Sequence, residues 1–119
     1  MAEWKMGIME ARFADIIWEH EPVGSTQLVK LAAEKLGWKK STTYTVLKRL
    51  CERGYFQNRD GAVTSLVSQQ DFRDRQSVEF VEESFGGSLP AFLAAFSRRK
   101  KLSEKEIAQL QELIDQSRG

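Results

Sequence analysis

Asp60-Gly61 is flanked by two short runs of strand character, Tyr55-Phe56-Gln57-Asn58-Arg59 and Ala62-Val63-Thr64-Ser65-Leu66-Val67. A two-residue hairpin turn asks for positive φ at both central positions, and Asp followed by Gly supplies it at low cost. The pair therefore predicts a β-hairpin in the middle of the chain. It constrains the fold strongly because the apolar spacing before it is helical, so a tight strand pair has to be fitted against helices.

Upstream, residues 9 to 20 carry Met9, Phe13, Ile16 and Ile17 as an apolar stripe, with Glu10, Arg12, Asp15 and Glu19 outside it. Glu21-Pro22-Val23-Gly24 breaks that helix. Ser25 is suited to cap a second one running to Leu36, with Leu28, Val29, Ala32 and Leu36 inward, and Gly37 supplies a left-handed stop. A third helix follows from Trp38 toward Gly54. It is split lengthwise: Thr43, Val46, Leu47, Leu50 and Cys51 share one side, and Ser41, Thr42, Thr45, Lys48 and Arg49 share the other. Short hydroxyl side chains mixed with cations make a poor core. They suit a helix in the DNA major groove, where cations meet phosphate or guanine and small side chains permit close approach.

Three helices, the third basic, followed by a hairpin predict a mainly α fold: a winged helix-turn-helix domain over residues 1–68, then a helical dimerisation region over residues 69–119. Net charge is only +1, but its distribution is uneven. Between Lys35 and Arg59 there are seven cations and one anion, Glu52, whereas beyond residue 68 eight cations face nine anions. Positive charge thus gathers around the third helix, as phosphate binding requires. The residues expected at DNA are Ser41, Thr42, Tyr44, Thr45, Lys48 and Arg49. Lys39 and Lys40 before the helix are expected to support them through phosphates, and Arg59 beside the turn is a wing contact to the backbone or the minor groove.

In the second region, Ser68 and Asp71 read as a capping box for a helix whose apolar positions are Phe72, Phe80, Val81 and Phe85. Gly86-Gly87 ends it. Ser88-Leu89-Pro90 starts a short apolar helix, Arg98-Arg99-Lys100-Lys101 reads as a solvated connector, and Ser103-Glu104-Lys105-Glu106 is a second capping box. Leu89, Phe92, Leu93, Phe96, Ile107, Leu110, Leu113 and Ile114 crowd two short helices that have no evident core of their own. Such a surface is expected to be covered by a second copy of the chain, and a two-fold homodimer also pairs the two groove helices on a pseudo-palindromic site.

Other classes find little support. No stretch approaches the roughly 20 apolar residues of a membrane span, and Met1-Ala2-Glu3-Trp4-Lys5 lacks an apolar export core, so a cytoplasmic protein is expected. Cys51 is alone, on the apolar side of the third helix, and reads as a buried reduced thiol. His20 is the only histidine, so neither a metal site nor a nucleophile–base pair announces itself, and no cofactor is expected. Gly86-Gly87 lacks the Lys-Ser/Thr of a phosphate loop. The chain is read as no enzyme. Trp18 and Trp38 read as packing residues, while Trp4 either tucks onto the domain or stays mobile.

Several segments together resemble the penicillinase-repressor family of winged-helix transcriptional regulators. They are Ile16-Ile17-Trp18, Trp38 ahead of Ser41-Thr42, Thr45-Val46-Leu47-Lys48-Arg49-Leu50, Arg53-Gly54, Phe85-Gly86-Gly87-Ser88, and Leu102-Ser103-Glu104-Lys105-Glu106-Ile107. The likeness runs from about Glu10 to Ile114. It implies a cytoplasmic bacterial repressor, homodimeric through its C-terminal helices, on operators built around TACA and TGTA. The chain departs from the family in four places. Tyr44 stands where the family usually has another polar or a basic residue. The pair equivalent to the Asn-Phe site of protease-controlled members is Ala95-Phe96, so a regulatory protease is not carried over. With a single cysteine the copper-binding Cys-x-Cys branch is ruled out. The second wing strand reads Ala62-Val63-Thr64-Ser65 rather than tyrosine-rich.

Two functions are therefore expected to compete: a sequence-specific, homodimeric DNA-binding repressor, and a winged-helix protein-interaction module without specific DNA binding, which the departures in the wing favour.

Overall fold

The computed structural model describes residues 3–119, so Met1 and Ala2 of the N-terminal reading lie outside the described residues. Along the chain come α1 (Ile8–His20), β1 (Val23–Gly24), α2 (Ser25–Leu36), α3 (Lys40–Glu52), β2 (Phe56–Arg59), β3 (Ala62–Ser65), α4 (Gln69–Phe85), α5 (Leu89–Arg99) and α6 (Glu104–Ser117). The fold is mainly helical with a small antiparallel sheet, as a winged helix followed by a helical region requires. The described residues divide into two compact units, the first ending at Glu79 and the second running from Phe80 to Gly119.

The hairpin is built as its turn residues dictate. Asp60 and Gly61 both take positive φ, 53° and 81°, and β2 pairs with β3 from Phe56 opposite Ser65 to Arg59 opposite Ala62. The sheet holds one strand more than the sequence suggested. Val23 and Gly24 pair with Val63 and Ala62, giving the order β1-β3-β2. The segment Glu21 to Gly24 thus does more than break a helix. The Glu21 carboxylate accepts from the Ser65 N–H and hydroxyl at 2.8 Å each, which holds the entry to β1 beside the end of β3. Two strand residues are too few to show a period, so this strand could not be read from spacing.

The first unit has one core. Phe13, Ala14 and Ile17 of α1, Leu28 and Ala32 of α2, Leu50 of α3, then Tyr55, Phe56 and Val63 are almost wholly buried, and Phe72 from the start of α4 joins them. Fully burying each large apolar side chain stabilises by roughly 1.5–3 kcal/mol. That sum fixes the rotation of α3, because turning it by half would replace Val46, Leu47 and Leu50 in the core with Lys48 and Arg49. Thr43 is also buried, and its hydroxyl is satisfied by donating to the Lys39 carbonyl at 3.1 Å.

Helix ends follow the punctuation in part. Gly37 is left-handed, φ 69°, and its N–H bonds back to the end of α2. Ser88 caps α5 by accepting from the Ala91 N–H, with Pro90 inside the first turn. Ser103 and Glu106 form a reciprocal capping box. Other expectations are corrected. Ser25 is the first residue of α2, not its cap; Gly24 is the N-cap and makes no side-chain bond. Ser68 accepts from the Asp71 N–H, but the Asp71 carboxylate turns to Arg75 Nε at 3.1 Å. Met9 is exposed and Ala14 takes the inward place beside Phe13. Val29, Leu36 and Cys51 are half-buried rather than buried, and partial burial pushes the Cys51 thiol up. Arg98 and Arg99 form the last turn of α5, so the basic run is only partly a connector.

The tryptophans pack as structural residues. Trp18 donates from Nε1 to the Val67 carbonyl at 3.0 Å, and the ring of Trp38 lies 5.0 Å from that of Phe13. Trp4 tucks onto the domain: its N–H donates to the Glu79 carboxylate and its ring packs near Tyr55 and Phe72.

Candidate nucleic-acid interface

The core described above forces one face of α3 outward. Ser41, Thr42, Tyr44, Thr45, Lys48 and Arg49 are all exposed, while Thr43, Val46, Leu47 and Leu50 between them are buried. Lys39 and Lys40 stand exposed at the N-terminus of the same helix, Lys39 as its N-cap. Eight of the nine expected residues therefore share one helix and its entry. The ninth, Arg59, is exposed at the end of β2 beside the turn, on the wing rather than on α3.

Local chemistry sorts these side chains. The Thr45 hydroxyl donates to the Ser41 carbonyl at 2.9 Å, one turn back. With its proton committed to the helix, Thr45 offers outward a methyl group and an acceptor oxygen, the features that meet a thymine methyl and an amino group in the major groove. Lys39 and Lys40 sit at the positive end of the helix dipole, and the first turn of α3 holds no acid. That placement costs stability in the free protein and draws anions to the site.

Arg49 is not simply presented to solvent. Its Nη1 lies 3.0 Å from Glu10 Oε2, with about half of the arginine side chain still exposed. Arg53, one turn further on, approaches the other Glu10 oxygen at 4.0 Å, donates to the carbonyls of Glu3 and Lys5, and lies 4.9 Å from the Tyr55 ring centroid. Glu10 itself is held by the Gly7 N–H, which donates to Oε1 at 3.0 Å. That amide is the main cause keeping the Glu10 carboxyl below the usual carboxylate range; Arg49 and Arg53 add to it and burial opposes it. Glu10 and Arg53 were not among the residues expected at the site. One signal was available for each: Arg53 follows Arg49 by four residues, and Glu10 stands three after Gly7, the spacing of a capping box.

In the second unit, Phe92, Leu93, Phe96, Leu110 and Leu113 line an open groove together with Leu102. The rings of Phe80, Phe85, Phe92 and Phe96 run on from one another at centroid separations of 5.6 to 6.2 Å. Leu89, Ile107 and Ile114, also expected at a dimer surface, are exposed but stand outside the groove lining. Neither α5 nor α6 has a buried residue. Among the described residues no group of acidic, histidine or cysteine side chains is arranged to hold a metal ion, and no helix is long and apolar enough to cross a membrane.

Comparison with known proteins bears on this arrangement. The family model for the penicillinase repressor matches residues 6–116. The chain is 23% identical over 114 residues to a penicillinase repressor of Bacillus licheniformis, covering 92% of this chain and 89% of that protein. It is 23% identical over 118 residues to the methicillin resistance regulatory protein MecI of Staphylococcus aureus, covering 96% and 90%. An uncharacterised 16.5 kDa protein of Latilactobacillus sakei is 28% identical over 103 residues, covering 83% and 70%.

Proposed function

Because the chain belongs to the penicillinase repressor family, we propose that it is a transcriptional repressor that binds a pseudo-palindromic DNA operator as a homodimer. The observation that carries the proposal is the outer face of α3. A helix whose inner side is locked in the core presents Ser41, Thr42, Tyr44, Thr45 and Lys48 outward, with Lys39 and Lys40 at its dipole-positive end. Lysines there neutralise phosphates and set the register, while hydroxyls, methyls and Arg49 meet base edges. Arg59 follows from the wing, toward the backbone or the minor groove.

The dimer is the second part of the proposal. Two short helices with exposed Leu89, Phe96, Ile107, Leu113 and Ile114 leave apolar surface that a second copy would cover. Two-fold pairing matches two half-sites, of the TACA and TGTA kind that the family resemblance implies, separated by about one helical turn. Ala95-Phe96 in α5 lacks the Asn of the protease-controlled pattern, so release by that cleavage is not part of the proposal.

A gel-shift titration against the DNA upstream of the chain's own gene tests the reading. Tight binding to one symmetric site, with random duplex about a thousandfold weaker, is the expected result. Equal, weak binding to every duplex would replace it with a winged-helix module for protein contacts.

A further inference from the structure

We propose that Glu10 is a specificity-determining residue that buttresses Arg49, fixing the direction of its guanidinium while offsetting its charge. The inference rests on the reading of α3 as the groove helix. A guanidinium carries five N–H donors in a rigid fork. In Arg49 one terminal nitrogen is tied to Glu10 Oε2 at 3.0 Å, and the side chain remains 53% exposed, so the fork can be held from one side and still meet DNA from the other. Arg49 lies one helical turn beyond Thr45 and two beyond Thr42, on the same outward stripe.

The buttress is rigid for a structural reason. Glu10 is in the first turn of α1 and its second oxygen is held by the Gly7 amide at 3.0 Å. Phe13, Ala14 and Ile17 anchor that helix in the core. The carboxylate therefore cannot follow Arg49 if the arginine swings away.

Attraction between a free arginine and phosphate is independent of sequence, whereas directed donors discriminate bases. A carboxylate in contact with Arg49 removes much of the first and keeps the second. Random DNA is thereby held less tightly, and the operator keeps a pre-oriented contact.

The test compares wild type, Glu10→Gln, Arg49→Ala and the double variant. Each is titrated on random duplex and on the upstream duplex that wild type selects, between 50 and 200 mM salt. The amide oxygen of the Gln variant can still accept the Gly7 N–H, which leaves the NH2 group facing Arg49, so both the charge and the acceptor for Arg49 are lost while the start of α1 is kept. On random duplex, Glu10→Gln is expected to bind more tightly at low salt. Its affinity should fall about 3.5-fold further than that of wild type across the range, as one added phosphate contact requires. Its preference for the operator should drop about fivefold, the lower end of what one directed base contact supplies. In the Arg49→Ala background the Gln substitution should change neither quantity. An unchanged slope on random duplex, an unchanged or raised preference, or a Gln effect that persists without Arg49 overturns the proposal. If Glu10→Gln does not fold, Arg49→Lys replaces it: charge is kept and the fork lost, so the random-duplex slope should hold while the preference drops, and a preference retained by Lys overturns the buttress. A wild-type protein that selects no duplex defeats the DNA reading itself, and that failure is visible before any variant is made.

Discussion

The ring of Trp4 lies 5.9 Å from that of Tyr55, three residues beyond the end of α3, although fifty-one positions separate the two residues. Phe72 of α4 closes the group at 5.7 Å from Trp4 and 5.1 Å from Tyr55, and the Arg75 guanidinium lies 4.8 Å from the Trp4 ring centroid. The segment ahead of α1 is thus packed at once on Tyr55, just beyond α3, and on Phe72 of α4. Trp4→Ala is expected to destabilise the protein by about 2–3 kcal/mol, below the roughly 3–5 kcal/mol of a wholly buried Trp because Trp4 is only half-buried. Urea unfolding checks it; a wild-type midpoint would mean that this contact holds nothing together.

Lys48 tests the outer face of α3 without touching the core. Lys48→Ala should leave stability within about 0.5 kcal/mol of wild type, since the side chain is exposed. If Lys48 contacts one phosphate, binding to duplex should weaken and the salt slope should fall by about 0.9. Affinity unchanged across the salt series would remove Lys48 from the interface.

The wing turn makes its own prediction. Gly61 has φ of 81°, a conformation that costs a residue with a Cβ about 1–2 kcal/mol. Gly61→Ala should destabilise by about that amount, although its missing Cβ has room, the nearest side-chain atom being Ser25 Oγ at 3.8 Å. Thermal unfolding measures this, and an unshifted midpoint would show that the turn relaxes to another type.

The Glu10 carboxyl gives a pH prediction. Its folded pKa is lowered, so its contribution to stability is present above the unfolded value of 4.5 and is lost as pH falls through the folded value. The stability difference between wild type and Glu10→Gln should therefore be full near neutral pH and shrink below about 4.5. A difference that stayed constant down to pH 3 would contradict the lowered pKa.

The proposed dimer surface is tested by charge. Leu113 is exposed and lines the groove of the second unit. Leu113→Glu should shift light scattering at micromolar concentration from dimer toward monomer while helicity is retained. A wild-type protein that is already monomeric there would remove the role proposed for α5 and α6.

Much of the fold was legible because it depends on local rules. The Asp60-Gly61 turn, the Gly37 stop and the Ser103 capping box are decided by a few neighbouring residues, and all three stand as read. The two faces of α3 were legible for a similar reason: helical spacing alone separates Leu47 and Leu50 from Lys48 and Arg49, whatever the helix packs against. β1 was not legible, since Val23 and Gly24 become a strand only because β3 passes beside them.

The sequence by itself thus determined which side of α3 could face water, because no rotation of that helix buries its cations without a large cost in solvation. Only the tertiary structure decided what surrounds that face. Glu10 and Arg49 are 39 positions apart, and no local pattern joins them; they meet because α1 and α3 pack on one core. Contact between distant residues is set by how the helices are packed, and packing depends on the shape of the whole core rather than on the period of any one segment.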